Sequence, residues 1–226
     1  MKERGPCPPR ATHRYRRRRD RRCHFYIMTK IKIDSFYLKE PFPELHQHKD
    51  HLLDLINQAE CGRNEPIEGM SDRMPHTAKV SPINRLDWDN STDYKNRPWV
   101  NFVYDLMVSK LNTMVDEHLG LNQIKFSNLW FQQYIENNFH NWHIHDCNFT
   151  GVYYVEMANE ENNKTELLTG DGKIAPEVDE GDICIFPAFI IHRCPPIEST
   201  NRKTIISYNF DIQQITESKF QYAEGL

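Results

Sequence analysis

Hydrophobic residues recur at helical spacing through much of the first half of the chain. The segment "PELHQHKDHLLDLINQAE" brings Leu45, Leu52 and Ile56 onto or near one stripe, which predicts an amphipathic helix. The segment "WVNFVYDLMVSKLNTMVDEHLGL" keeps the same spacing and predicts a longer helix that stops near Gly120. Ahead of both, "KIKIDSFYL" alternates like a strand. The pattern predicts a helical support region over residues 28–121.

Between the two helices, residues 61–98 are rich in Gly, Pro, Asp and Asn and have no clear period. This composition predicts an extended loop. A loop of that length inside a domain is often functional, for instance as a lid over a site.

From residue 122 onward the pattern changes to the alternation of strands. "IKFSNLWFQQYI" is followed by "TGVYYVEM", "TELL", "GDICIFP", "FIIHRC" and "RKTIISYNFDI", with turn-rich stretches between them. Several short strands at this spacing predict a sandwich or barrel. We expect a mainly β fold with flanking helices, in one domain over residues 28–226 whose β core is 122–213.

Charge is distributed unevenly along the chain. Residues 1–27 carry ten Lys or Arg against Glu3 and Asp20, a net charge of +8, which leaves −12 for the remainder of a chain whose formal charge is −4. This segment has no helical or strand period, so we predict a disordered basic extension. The alternative is an arginine-rich arm for nucleic acid. Any nucleic-acid binding is expected only through these residues, because the acidic remainder offers no second basic surface.

The cysteines and the apolar runs indicate the cellular setting. The six cysteines have neither C-x-x-C pairs nor the spacing of a secreted disulfide scaffold, which favours a reduced, cytoplasmic protein. No apolar run approaches the roughly 20 residues that a membrane helix needs, so no membrane partner is expected.

Three histidines in the β half form a candidate metal site. His143 and His145 are two residues apart on a predicted strand, so their side chains point to one face. His192 ends the later run "GDICIFPAFIIH". A pair and a third histidine from distant strands suit one metal ion inside a barrel, and neutral imidazole accepts Zn, Cu, Ni and Fe alike.

A basic pair narrows the choice of metal chemistry. Arg202 and Lys203 open the strand "TIISYNF", ten and eleven residues beyond His192. A cation there would point into the same barrel and bind a carboxylate. A metal with open positions beside such a cation is what a 2-oxo acid cosubstrate requires.

Together, the blocks "HIHDCNFTGVYYV", "GDICIFPAFIIHRCPP" and "RKTIISYNF" resemble the uncharacterised Fe(II)/2-oxoglutarate-dependent oxygenases frequent in marine bacteria and their phages. That family has H-x-H, then S-G-V-Y-Y-V, then G-D-L-x-x-F-P-S-x-x-x-H, then R-I-S-I-S-F-N. The match covers about residues 124–212. The resemblance implies a double-stranded β-helix (a jelly-roll, cupin-like barrel) that hydroxylates an unidentified substrate with O2 while 2-oxoglutarate is oxidatively decarboxylated.

The resemblance also implies site residues, with two choices open. His143, His145 and His192 would hold the Fe(II), but the wider superfamily usually has His-x-Asp, so a bulge could deliver Asp146 instead of His145. Lys203 matches the family's arginine position. The alternative cation is Arg202, which together with Thr204 mimics an Arg-x-Ser pair that also binds the cosubstrate. Gln132 and Tyr134 would line the 2-oxoglutarate pocket.

Two other classes of protein share parts of this pattern. A cupin-type metal protein that does not use 2-oxoglutarate would keep the barrel and the H-x-H. It usually has a Glu a few residues after that motif, whereas the first Glu here is Glu156. A nucleic-acid-binding protein acting through its arginine-rich arm is the other alternative.

Overall fold

The computed structural model describes residues 35–64, 82–157 and 164–215. The basic segment 1–27 and the start of "KIKIDSFYL" lie outside these ranges, so the predictions made for them stay predictions. No helix in the described ranges is long and apolar enough to cross a membrane.

Both predicted helical segments are confirmed, but the first is divided into two helices at Gln47 and His48. The helices are α1 (Pro43–His46), α2 (Lys49–Gln58) and α3 (Pro98–Leu119), and a short 3-10 helix spans Trp88–Asn90. In α3 the buried side chains recur at helical spacing and form one stripe. The helix ends at Gly120, whose φ of 64° is left-handed and whose N–H binds the carbonyls of Val115 and Asp116.

Eleven strands in the described ranges form two antiparallel sheets. The strands are β1 (Leu38–Pro41), β2 (Gly62–Asn64), β3 (Ile83–Leu86), β4 (Leu121–Tyr134), β5 (His140–His143), β6 (Phe149–Glu156), β7 (Glu166–Thr169), β8 (Gly172–Ile174), β9 (Asp182–Pro187), β10 (Ile191–Cys194) and β11 (Lys203–Ile215). The large sheet has the order β1-β9-β6-β11-β4-β3-β2, and the small sheet has the order β5-β10-β7-β8. The mainly β fold with flanking helices is therefore as predicted.

The large sheet separates two buried clusters. On one face, Ile206 and Phe210 of β11 pack with residues of α2 and α3. On the other face, Ile205 packs with Tyr154 of β6 and with Leu167 of the small sheet. Successive side chains of a strand alternate between the faces, so β11 contributes to both clusters. We call the second face the barrel interior, because it lies between the two sheets.

The prediction of an extended loop over residues 61–98 is wrong for Gly62–Asn64 and Ile83–Leu86, which are strands, whereas residues 91–97 belong to no helix or strand. Strands β2 and β3 pair with each other, and β3 pairs with β4 through Arg85 with Gln133 and Leu86 with Gln132. Pairing with an existing sheet edge overrides the loop-like local composition. Residues 65–81 of the predicted loop lie outside the described ranges.

Candidate metal centre and adjoining pockets

The three candidate histidines meet at one end of the barrel. His143 ends β5 and is paired in register with His192 on β10. His145 lies just beyond β5, where its backbone N–H donates to the carbonyl of Ala188 over 3.1 Å. One nitrogen from each of the three rings lies within 4.8 Å of the other two. The structure thus gathers residues from two strands and a loop into one potential metal-binding group.

Hydrogen bonds at Nδ1 orient two of these rings. His143 Nδ1 lies 2.7 Å from the carbonyl oxygen of Asn141, and His192 Nδ1 lies 2.9 Å from that of Ile190. A carbonyl can only accept, so each Nδ1 carries the proton and each Nε2 keeps its lone pair. The Nε2 atoms of His145 and His192 are 3.2 Å apart. In this tautomer, the Nε2 atoms of His143 and His192 each have a lone pair with which they can bind a metal ion.

Burial keeps the histidines neutral. Desolvation, with the nearby His143, lowers the pKa of His145 to about 4 and that of His192 to about 2. The pKa of His143 is also lowered by burial, although its bond to Asn141 opposes the shift. Neutral imidazole is the form that binds a metal. The donor set therefore fits a divalent transition-metal ion at neutral pH.

The structure separates His145 from the alternative Asp146. His145 belongs to the group of three, whereas Asp146 is exposed and lies outside that group. Alternation along the chain brings residue 145, not its neighbour, to the side of His143.

His140 also lies in this cluster, although its spacing from His143 and His145 does not predict it. Its ring stacks on that of His143 with centroids 4.0 Å apart, and its Nδ1 is 3.4 Å from Gln132 Nε2. Burial, with the neighbouring histidines, lowers the pKa of His140 to about 3. His140 and His143 are three positions apart along β5, while their partners on β10 are two positions apart. This bulge places both rings on one face, and simple alternation does not reveal it.

A small cavity of about 30 Å³, which we call the inner chamber, adjoins the histidines in the barrel interior. Its polar lining residues, besides the four histidines and Arg193, are Gln132, Tyr134, Thr150, Thr165, Cys194 and Ser207. The Oε1 of Gln132 accepts hydrogen bonds from the hydroxyls of Tyr134, at 2.9 Å, and Ser207, at 3.2 Å. These bonds fix the predicted pocket residues Gln132 and Tyr134 in one polar network.

Lys203 is fully buried beside this chamber. Its Nζ lies 3.3 Å from the sulfur of Cys194, and 5.6 and 5.8 Å from the ring centroids of Tyr134 and Tyr154. Cation–π contact with two rings stabilises a buried ammonium. A buried ammonium group can bind a carboxylate through a charge-assisted hydrogen bond, so the position suits an anionic ligand.

Arg202 and Thr204 lie on the other face of the sheet. The guanidinium of Arg202 donates to Glu156 over 2.5 Å and to Asn57 of α2 over 2.9 Å. Thr204 donates to the same Glu156 carboxylate over 3.2 Å. Neighbouring residues of a strand point to opposite faces, so Lys203 and Arg202 cannot both reach the interior. The structure places Lys203 there and directs both alternatives away.

A second group of three potential ligands within the described ranges lies at the surface and has a different character. It consists of Glu40, Glu117 and His118. The Glu40 carboxylate already binds Lys110 at 2.5 Å and His118 at 2.9 Å. Burial alone would raise the pKa of Glu40, but the bonds from Lys110 and His118 lower it below its ordinary value. This group is an ion-pair network of the surface.

Sequence comparisons identify no relative: no protein-family model and no curated protein matches this chain. Solved structures do match. A prolyl-4-hydroxylase from Pseudomonas putida is 12% identical with a TM-score of 0.54, over 78% of this chain and 92% of that one. An oxidoreductase of the 2OG-Fe(II) oxygenase family from Burkholderia pseudomallei is 12% identical with a TM-score of 0.58, over 77% and 84%.

A third similar structure is HygX from Streptomyces hygroscopicus with nickel and 2-oxoglutarate bound. It is 10% identical with a TM-score of 0.55, over 78% of this chain and 82% of that one. Identities this low show a shared fold and no more. The shared fold confirms the predicted double-stranded β-helix.

Proposed function

We propose that this protein is an Fe(II)- and 2-oxoglutarate-dependent oxygenase that hydroxylates a substrate still to be identified. The observation that carries the proposal is the union, in one barrel interior, of three converging neutral imidazoles with the buried Lys203. Structures of the same fold that are named as 2OG-Fe(II) oxygenases support it, as does the 2-oxoglutarate bound in HygX. The sequence motifs point to the same chemistry independently.

In this proposal His143, His145 and His192 hold the iron. The carbonyls of Asn141 and Ile190 fix the tautomers of two of these rings, so their Nε2 atoms are ready to bind without rearrangement. His140 supports the centre by packing against His143. It binds Gln132 rather than joining the three ligands.

Lys203 binds the distal carboxylate of 2-oxoglutarate. Low polarity around Lys203 strengthens a charge-assisted hydrogen bond from its ammonium group. Tyr134 and Gln132 line the inner chamber beside the histidines, and the ring of Tyr134 lies 5.6 Å from Lys203 Nζ. When bound, iron and 2-oxoglutarate supply the activation of O2, while the protein supplies position and a site shielded from water.

Anaerobic titration with Fe(II) and 2-oxoglutarate tests the proposal. The family resemblance leads us to expect a weak visible charge-transfer band that needs both additions. His192→Ala should abolish the band by removing the metal, and Lys203→Met should weaken it by raising the 2-oxoglutarate concentration required. Arg202→Met is the matched control, because it removes a neighbouring cation from the other face, and it should retain the band.

The alternative is a cupin-type metal protein that does not use 2-oxoglutarate. One observation favours it, namely that all three ligands are histidines where the wider superfamily usually has a carboxylate. Protein that is folded and loaded with metal, yet gives no band with 2-oxoglutarate, would support this alternative and contradict the oxygenase. The nucleic-acid alternative rests on residues 1–27, which lie outside the described ranges.

A further inference from the structure

A pocket of about 650 Å³, which we call the outer pocket, opens on the same histidines from the surface side. The proposed metal and cosubstrate do not account for its other walls. Besides the histidines, its lining includes Trp88, Asp89, Trp130 and Asp146. A volume of this size suits a small molecule or one side chain with its neighbours.

Two tryptophans form one wall of the outer pocket. Trp130 on β4 is buried, and its ring lies 5.9 Å from that of His145. Trp88 is 42% exposed and meets Trp130 edge to face with centroids 4.7 Å apart. Indole faces are the strongest aromatic partners for a cation. An exposed tryptophan at the mouth of a pocket is also a typical contact for a ligand.

The charged groups of the wall have one sign. The carboxylates of Asp89 and Asp146 are its charged groups, and no lining residue in the described ranges is Lys or Arg. Two carboxylates with no Lys or Arg beside them in this described lining make the pocket attractive to a cation.

Trp88 and Asp89 are held in place in the ligand-free protein. The preceding residue, Asp87, is buried and accepts hydrogen bonds from the backbone N–H of Phe131 at 2.7 Å and from Arg97 and Trp99 at 3.0 Å each. These bonds tie the 3-10 helix that carries Trp88 and Asp89 to strand β4. A preformed wall loses little entropy when it binds.

We infer that the substrate of this site presents an N–H-bearing cation, a protonated amine or a guanidinium, to the outer pocket. The cation lies against Trp88 and Trp130, and its N–H groups donate to the carboxylates of Asp89 and Asp146. That the bound molecule is a substrate rests on the proposed function, but the preference for a cation does not. An anionic group would be repelled by both carboxylates, and an apolar group would gain no attraction from them.

The test compares two probes of matched size, pentylamine and 1-pentanol, titrated into Zn(II)-loaded protein while tryptophan fluorescence is followed. We expect the amine to bind at least ~10-fold more tightly, which is about 1.4 kcal/mol. The double variant Asp89→Asn, Asp146→Asn should reduce this preference to about 2-fold or less, a loss of roughly 1 kcal/mol. Both residues are exposed, so the variant should fold.

Asp171→Asn, in the exposed turn between β7 and β8, removes a carboxylate from elsewhere on the surface and should keep the preference. The inference is overturned if 1-pentanol binds as tightly as pentylamine, if pentylamine does not bind, or if the double variant keeps the preference. This readout needs neither 2-oxoglutarate nor O2. A preference for pentylamine without any binding of 2-oxoglutarate would therefore contradict only the proposed oxygenase function. Binding of 2-oxoglutarate without a preference for pentylamine would contradict only the inferred cationic substrate.

Discussion

The two faces of the large sheet show how one set of strands serves stability and chemistry separately. Towards the helices, Tyr208 and Phe210 of β11 are fully buried in an apolar cluster. Towards the barrel interior, the same strand presents Lys203, Ser207 and Asn209. Burying polar groups costs free energy, whereas burying apolar groups gains it. The face towards the helices therefore contributes more to stability, whereas the polar groups of the interior lower stability and are available to bind ligands.

The largest loss of stability should result from a substitution on the face towards the helices. Phe210→Ala removes a fully buried ring that stacks on Phe149 at 5.5 Å. We expect the free energy of unfolding in urea to fall by about 3–5 kcal/mol, as for other buried aromatic residues. Metal affinity, measured on the fraction that stays folded, should change little. A fall of less than about 1 kcal/mol would show that this face is not the stabilising one.

On the interior side, His145→Ala should weaken metal binding by more than about 100-fold, because even the partners of metal ligands contribute 10–100-fold. Asp146→Asn is its matched neighbour and should leave metal affinity within about 3-fold, a small effect for an exposed charge. Competition with a chelating dye measures both. The opposite ranking of the two variants would make Asp146 the ligand and contradict the proposed centre.

The interior histidines should also make the metal-free protein sensitive to acid. Burial lowers the pKa of His140 to about 3 and of His145 to about 4, below the ordinary 6.5. The unfolded chain therefore binds more protons than the folded one between these values and about pH 6.5. The free energy of unfolding should fall as pH decreases through this window, by at most about 1.4 kcal/mol per pH unit for each histidine.

Urea denaturation of the metal-free protein between about pH 7 and about pH 5 measures this slope, at the onset of the window. The variant His140→Phe keeps an aromatic ring in place and should give a shallower slope. Saturating Zn(II) should raise stability most at the neutral end, where protons compete least with the metal. Equal slopes for the wild type and the variant would contradict the assigned burial effect.

The smallest effect should come from Arg202→Met. Arg202 pairs with Glu156 at the surface, where its side chain is 34% exposed, and such pairs contribute little. We expect stability to change by less than about 1 kcal/mol and 2-oxoglutarate affinity to be unaltered. Thermal unfolding and a cosubstrate titration measure the two quantities. A clear loss of cosubstrate affinity would mean that Arg202, rather than Lys203, binds the cosubstrate.

Local periodicity predicts much of this architecture. Helices α2 and α3 follow from the spacing of Leu52, Ile56 and the apolar residues after Pro98. Alternation brings His143 and His145 to one side. Local periodicity does not link His192 to this pair. The two segments are 47 residues apart, and only the pairing of β10 with β5 joins them, so the link depends on comparing the motifs of the two segments.

What the sequence did not predict depends on pairing between distant strands. Strand β3 forms on the edge of β4 and β2 forms on the edge of β3, and their composition alone resembles a loop. The choice between Lys203 and Arg202 depends on a register in which a shift of one residue exchanges the faces. His140 joins the cluster through a bulge, and Trp88 and Asp89 reach the outer pocket through the bonds of Asp87. None of these has a local signature.

Calorimetric titration of 2-oxoglutarate into Zn(II)-loaded protein, metal-free protein and Zn(II)-loaded Lys203→Met tests the central claim most directly. The account predicts clear binding only where metal and Lys203 are both present, with affinity at least ~30-fold weaker in the variant, as expected when one partner of a buried charge pair is removed. Lys203→Met keeps an unbranched chain of similar length at this buried position, and thermal unfolding of the variant checks that it folds. Equal affinity in the variant, or equal affinity without metal, would contradict the account.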